Sequence, residues 1–122
     1  MTLTIPLRTF SEANLREHWA KKAKRVKAQR FAVAAYWRQW WNNPEREKAI
    51  APPWCATLTR IAPRPLDSDN LQRSFKAVRD EIAKQLGVND NSELIEWKYA
   101  QRSGKVREYA VEIQIEAKGE ER

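Results

Sequence analysis

Three carboxylates and one amine are the side chains best placed to act together: Asp67, Asp69, Asp90 and Lys76. All fall in the run P-R-P-L-D-S-D-N-L-Q-R-S-F-K-A-V-R-D-E-I-A-K-Q-L-G-V-N-D-N, residues 63–91. Hard divalent cations such as Mg²⁺ take oxygen ligands, usually a few carboxylates completed by water and a substrate phosphate. Asp67 and Asp69 lie two apart at a strand-to-helix junction, where extended backbone points both the same way. A cation held there polarises a phosphate and activates water, while a lysine stabilises the charge that develops. The set therefore suggests metal-assisted phosphodiester cleavage. Each acid also has a plain structural reading. Asp67 or Asp69 suits a helix N-cap, Asp69 with Gln72 resembles a capping box, and Asp90 suits a turn.

The elements that must position these groups follow from the spacing. One amphipathic helix is expected from about Asp69 to Leu86, roughly 25 Å long. Asp69, Arg73, Lys76 and Asp80 share a sector about 60° wide, and Leu71, Phe75, Val78, Ile82 and Leu86 oppose them. Asp90 follows Gly87. It rejoins the other acids only if the chain folds back along the helix, or if a loop or a neighbouring subunit closes the gap.

Residues 54–61 read as a strand that delivers the chain to Pro63. Residues 2–8 read as an edge strand ending at Pro6. Ile95, Trp97 and Tyr99 alternate in another strand. Ser103-Gly104 supplies a turn, and Tyr109, Val111, Ile113 and Ile115 make the return strand. Ser11 can cap a long helix from about Glu12 to Trp41, with Leu15, Trp19, Val26, Val33, Trp37 and Trp40 as its packed stripe. Residues 42–53, with three prolines, form a connector. The order βαβαββ predicts a small mixed α+β sheet flanked by helices in one domain over 1–122. It divides into a basic helical arm, about 11–41, and an Asp-cluster core, 54–116.

The net charge of +7 is lopsided: residues 1–60 carry +8 and residues 61–122 carry −1. That asymmetry points to a polyanion, most simply nucleic acid. Arg16, Lys21, Lys22, Lys24, Arg25, Lys27 and Arg30 line the first long helix with no acid along 18–30, so they form a candidate phosphate-tracking strip. The alternative is a solvated helix face. His18 has no second His or Cys with which to share a metal, and the lone Cys55 excludes a disulfide or zinc framework within the chain. Three glycines provide no phosphate-cradling loop. No apolar run approaches the ~18 residues of a membrane span, and the N-terminus lacks a secretory pattern, so a cytoplasmic setting is expected.

The run D-S-D-N-L-(x)4-K-A-(x)2-D, followed by L-G-V-N-D, resembles the RusA family of Holliday junction resolvases of bacteria and their prophages. The resemblance covers about residues 54–116, and the N-terminal arm matches only in general character. It implies a homodimer that cuts four-way DNA junctions symmetrically with Mg²⁺, or Mn²⁺ in its place. Asp67, Asp69 and Asp90 would then be the metal-binding catalytic acids, Lys76 the essential basic residue, and Arg73 a DNA contact. Two departures are visible. Arg73 stands four residues after the second Asp, where the family has Lys, and Asn89-Asp90 replaces an Asp-Asp pair. A non-catalytic junction- or duplex-binding protein is the alternative that these departures keep open.

Overall fold

The computed structural model describes residues 1–11, 18–46, 48 and 50–118. Its centre is β2 (Trp54–Ala62), an apolar run buried along most of its length. A strand bonded on both edges and covered by helices favours such a run. β3 (Ile95–Ser103) pairs parallel to it, with Tyr99 opposite Leu58. β4 (Ala110–Ala117) pairs antiparallel on its other edge, with Ile113 opposite Leu58. β1 (Thr2–Ile5) completes the order β1-β4-β2-β3, with Leu3 opposite Ile113. β1 is an edge strand, as Pro6 predicts.

The turn at Ser103-Gly104 predicts that β3 and β4 pair with each other; instead they flank β2 on opposite sides. The Gly104 N–H donates to Ala62 O at 2.8 Å, which pins the connection against the end of β2. Six residues, 104–109, then cross two strand spacings, roughly 10 Å. A Cβ on Gly104 would lie 3.0 Å from the Glu108 backbone oxygen, so any side chain there crowds the backbone of the connection.

The same parity of Leu3, Ile5, Ala56, Leu58, Val111, Ile113 and Ile115 faces the core formed with the helices. α1 (Trp19–Asn42) contributes Val33 and Trp37, with Trp40 packed at the margin. The helix starts later than Ser11 predicts. His18 is its N-cap, accepting from the Ala20 N–H through Nδ1 at 3.2 Å, while the Ser11 hydroxyl has no hydrogen-bond partner. Leu15 and Arg16 lie outside the described residues. Trp19, expected in the packed stripe, is 76% exposed because the first turn of α1 precedes the part that packs on the other helices.

The single helix predicted over 69–86 is two helices, α2 (Ser68–Ser74) and α3 (Lys76–Leu86), broken at Phe75. The Ser74 hydroxyl donates to Leu71 O at 2.7 Å, competing locally for helical carbonyls. Phe75 turns fully into the core, stacked on Tyr99 with ring centroids 5.9 Å apart. Together α2 and α3 form the crossover that parallel β2 and β3 require. No helix among the described residues is long and apolar enough to cross a membrane.

α3 ends at Gly87 with φ +74°, the left-handed cap that reverses the chain toward Asp90. Nothing lies within 4 Å of a Cβ built there. Gly87→Ala should therefore cost the backbone term alone, about 1–2 kcal/mol in a urea denaturation midpoint analysis.

Candidate functional site

A cleft of about 620 Å³ opens where α2, the start of α3, the 88–94 loop and α1 meet. Asp69, Arg73, Lys76, Asp80 and Asp90 all line it, joined by Lys22 of α1 and Tyr99 of β3. The charged sector expected of a continuous helix thus survives the break at Phe75.

Asp90 returns to the helix start, and the agent is Arg79. Arg79 donates from Nη2 to Asp90 O at 3.0 Å and from Nη1 to the Tyr99 hydroxyl at 2.7 Å. Its Nε lies 3.3 Å from Asp90 Oδ2, close enough to attract though not aligned as a hydrogen bond. Its guanidinium also sits 4.9 Å over the Trp97 ring, and Trp97 Nε1 donates to the same Asp90 carbonyl at 3.0 Å. Neither Arg79 nor Trp97 is singled out for the site by the sequence pattern. The available signal was an aromatic pair, Trp97 and Tyr99, alternating on a strand that must face a helix.

Lys76 is the first residue of α3, and its Nζ bridges Asp80 Oδ1 at 2.9 Å and Asp90 Oδ2 at 3.3 Å. The hydrogen bond to Asp80, with Asp90 behind it, raises its pKa above the ordinary lysine value despite some desolvation. Lys76 is therefore an ammonium at neutral pH, an electrostatic group and not a base. α3 begins without a side-chain cap and without an acid in its first turn, so its positive end adds to the ammonium.

Asp67 goes elsewhere. It is the N-cap of α2, with Oδ1 accepting from the Asn70 N–H at 2.9 Å and Oδ2 from Asn70 Nδ2 at 2.8 Å. The expected convergence of three acids, Asp67, Asp69 and Asp90, is thus reduced to Asp69 and Asp90 at the cleft, with Asp80 added. Among the described residues no three His, Cys, Asp or Glu side chains form a metal-holding group. The donor set still suits Mg²⁺, which needs only one or two carboxylates when phosphate and water complete its shell. Asp69 is exposed at the cleft, and both cations meet Asp90 on Oδ2, which leaves Oδ1 for a further ligand.

The basic strip divides. Lys21, Lys22, Lys24 and Lys27 are exposed on α1, and Lys22 reaches the cleft. Arg25 lies 5.1 Å over the Phe10 ring. Arg30 is held by α3, its Nε 3.1 Å from Glu81 Oε1, a carboxylate only 6% exposed. The acid missing from α1 is supplied by a neighbouring helix. Arg16 lies outside the described residues.

Comparison with family models, curated proteins and solved structures found no significant match to this chain.

Arg79→Met should cost about 2 kcal/mol in urea denaturation, because it removes the charged donor to the Asp90 carbonyl and to the Tyr99 hydroxyl. Arg79→Lys should recover only part of that stability, since an ammonium cannot fork between them.

Proposed function

We propose that this chain is a divalent-metal-dependent endodeoxyribonuclease of the RusA type that resolves four-way DNA junctions as a homodimer. One observation carries the reading. Asp69 of the D-S-D-N-L motif and the distant Asp90 share a single cleft with Lys76 and Arg73, and the exposed lysines of α1 begin at its rim with Lys22. A two-fold symmetric dimer suits a substrate that needs two symmetric cuts.

In this reading Asp69 and Asp90 would hold Mg²⁺ at the cleft, while Asp67 stays the cap of α2. When bound, the cation supplies Lewis-acid polarisation of a phosphate oxygen and a more acidic water. Lys76 holds an oxygen of the scissile phosphate, exchanging its bonds to Asp80 and Asp90 for the substrate. Arg73 and Lys22 orient the flanking backbone by charge. Arg79 touches no substrate and fixes Asp90 in place. The second reading, a junction-binding protein without cleavage, draws on Asn89 in place of an acid and on the ammonium already neutralising Asp80 and Asp90.

Labelled four-way junction and linear duplex, each with Mg²⁺ or EDTA, separate the two. Paired cuts in the junction with Mg²⁺ alone are expected. Asp69→Asn and Asp90→Asn should lower cleavage by orders of magnitude while junction binding persists or tightens, because a repelling charge has gone. Asp67→Asn keeps a capping oxygen on α2, so cleavage and melting temperature should both stay near wild type. Any of the three that cuts at wild-type rate is not a ligand.

Neutralising Lys21, Lys24 and Lys27 together should weaken junction and duplex binding alike. The slope of log affinity against log salt should flatten by about 0.9 for each phosphate that is no longer neutralised. Unchanged affinity would make those lysines ordinary solvated surface.

A further inference from the structure

At the carboxyl ends of β2 and β3, away from the acidic cleft, lies a second and smaller polar pocket of about 200 Å³. Arg60, Arg64, Gln101, Arg102 and Ser103 line it. Arg60 is the unusual member. It occupies the inward parity of β2, in line with Ala56 and Leu58, and is only 8% exposed. Its Nη1 donates to Arg64 O at 2.7 Å, while its Nε is buried with no partner at all.

A guanidinium taken out of water normally keeps a carboxylate, because an uncompensated buried charge is strongly destabilising. Arg79 obeys that rule through Asp90. Arg60 does not: no acid pairs with it among the described residues, and its charged neighbour is another arginine, Arg8. Burial first, and Arg8 second, pull its pKa below the ordinary arginine value. Arg102 follows the parity of Ile61 to the other face of the sheet, where it pairs with Glu112 at 3.6 Å, so that acid leaves Arg60 uncompensated.

We infer that this pocket is an oxyanion site, built to take one phosphate group of a DNA backbone between Arg60 and Arg64. The pocket exceeds the size of a single phosphate, the guanidinium fork matches phosphate oxygens, and the Ser103 hydroxyl adds a neutral donor. Its wall is stiff. Gln101 donates to Leu66 O at 2.7 Å and accepts from Leu66 N at 2.9 Å, tying the 63–66 loop to β3. The same loop runs directly into Asp67 and Asp69. Tyr99 of the acidic cleft and Gln101 beside this pocket share one face of β3, about 7 Å apart along the strand. The site therefore grips the strand one or two phosphates away from the bond at the cleft. The DNA source rests on the proposed function, whereas the oxyanion site does not.

The two are tested separately. Thermal melting is followed in sodium sulfate and in inorganic phosphate against chloride at matched ionic strength. Wild type should gain roughly 5 °C at ten times the anion's dissociation constant. Arg60→Met and Arg64→Gln should remove most of that gain. In chloride Arg60→Met should melt at or above wild type, since it removes an unpaired buried charge; a purely structural arginine would instead lower it. Arg64→Gln, on an exposed side chain, keeps the test decisive if Arg60→Met does not fold. Duplex titration across salt should then show a slope lower by about 0.9 in Arg64→Gln. No advantage of sulfate or phosphate over chloride in wild type overturns the site. An anion effect that Arg64→Gln abolishes, with an unchanged DNA slope, overturns DNA as its source. Failure of wild type to bind any DNA would defeat the proposed function, and the anion arm would still decide the pocket.

Discussion

Arg79 is the cation on which the geometry of this molecule turns. One guanidinium meets the Asp90 carbonyl, the Asp90 carboxylate, the Tyr99 hydroxyl and the face of Trp97. These partners belong to a loop and a strand that follow α3, so the arginine folds the chain back over the helix it has just left. Side-chain exposures of 21% for Arg79 and 20% for Asp90 place the pair where the dielectric is low enough for the attraction to matter. Remove that attraction and Asp90 belongs to the far end of α3, about 16 Å from Lys76 at 1.5 Å per residue.

Local pattern carries much of this fold. Alternating apolar residues mark all four strands, and the charged sector from Asp69 to Asp80 marks one wall of the cleft. What local pattern cannot carry is anything decided between elements. Pairing β4 with β2 in place of β3 depends on β2 offering two open backbone edges, a choice made by the whole sheet. The break at Phe75 depends on a pocket beside Tyr99 and on one serine hydroxyl, neither of which changes the helical period. The charge balance of Arg30 sits on another helix, fifty-one residues away. Asp67 and Asp69 have both a capping and a ligating reading, and backbone geometry gives the cap to Asp67.

Arg60 was legible in principle. In W-C-A-T-L-T-R-I-A it takes the parity of Ala56 and Leu58, so a strand with that side inward must bury a positive charge. A charge at an inward position of a central strand is a conflict between local and global preference. Such conflicts concentrate where a protein has work to do. The contrast with Arg79 is chemical, for both lose water and only one is given a carboxylate in return.

The two long helices run the same way. Lys22 and Val26 of α1 share the acidic cleft with Lys76 and Ala77 of α3, Arg30 meets Glu81 midway, and Ala34, Trp37 and Arg38 share a tryptophan-lined groove with Gln85 and Leu86 at the other end. Side-by-side parallel helices gain nothing from each other's dipoles; their partial charges add along one axis. The positive ends coincide with the cleft, where Lys22, Arg73, Lys76 and Arg79 outnumber Asp69, Asp80 and Asp90 by a single charge. Seen from tens of ångströms away, the molecule behaves as an oriented dipole carrying net positive charge. In the field of any polyanion such a molecule would feel a torque as well as a pull.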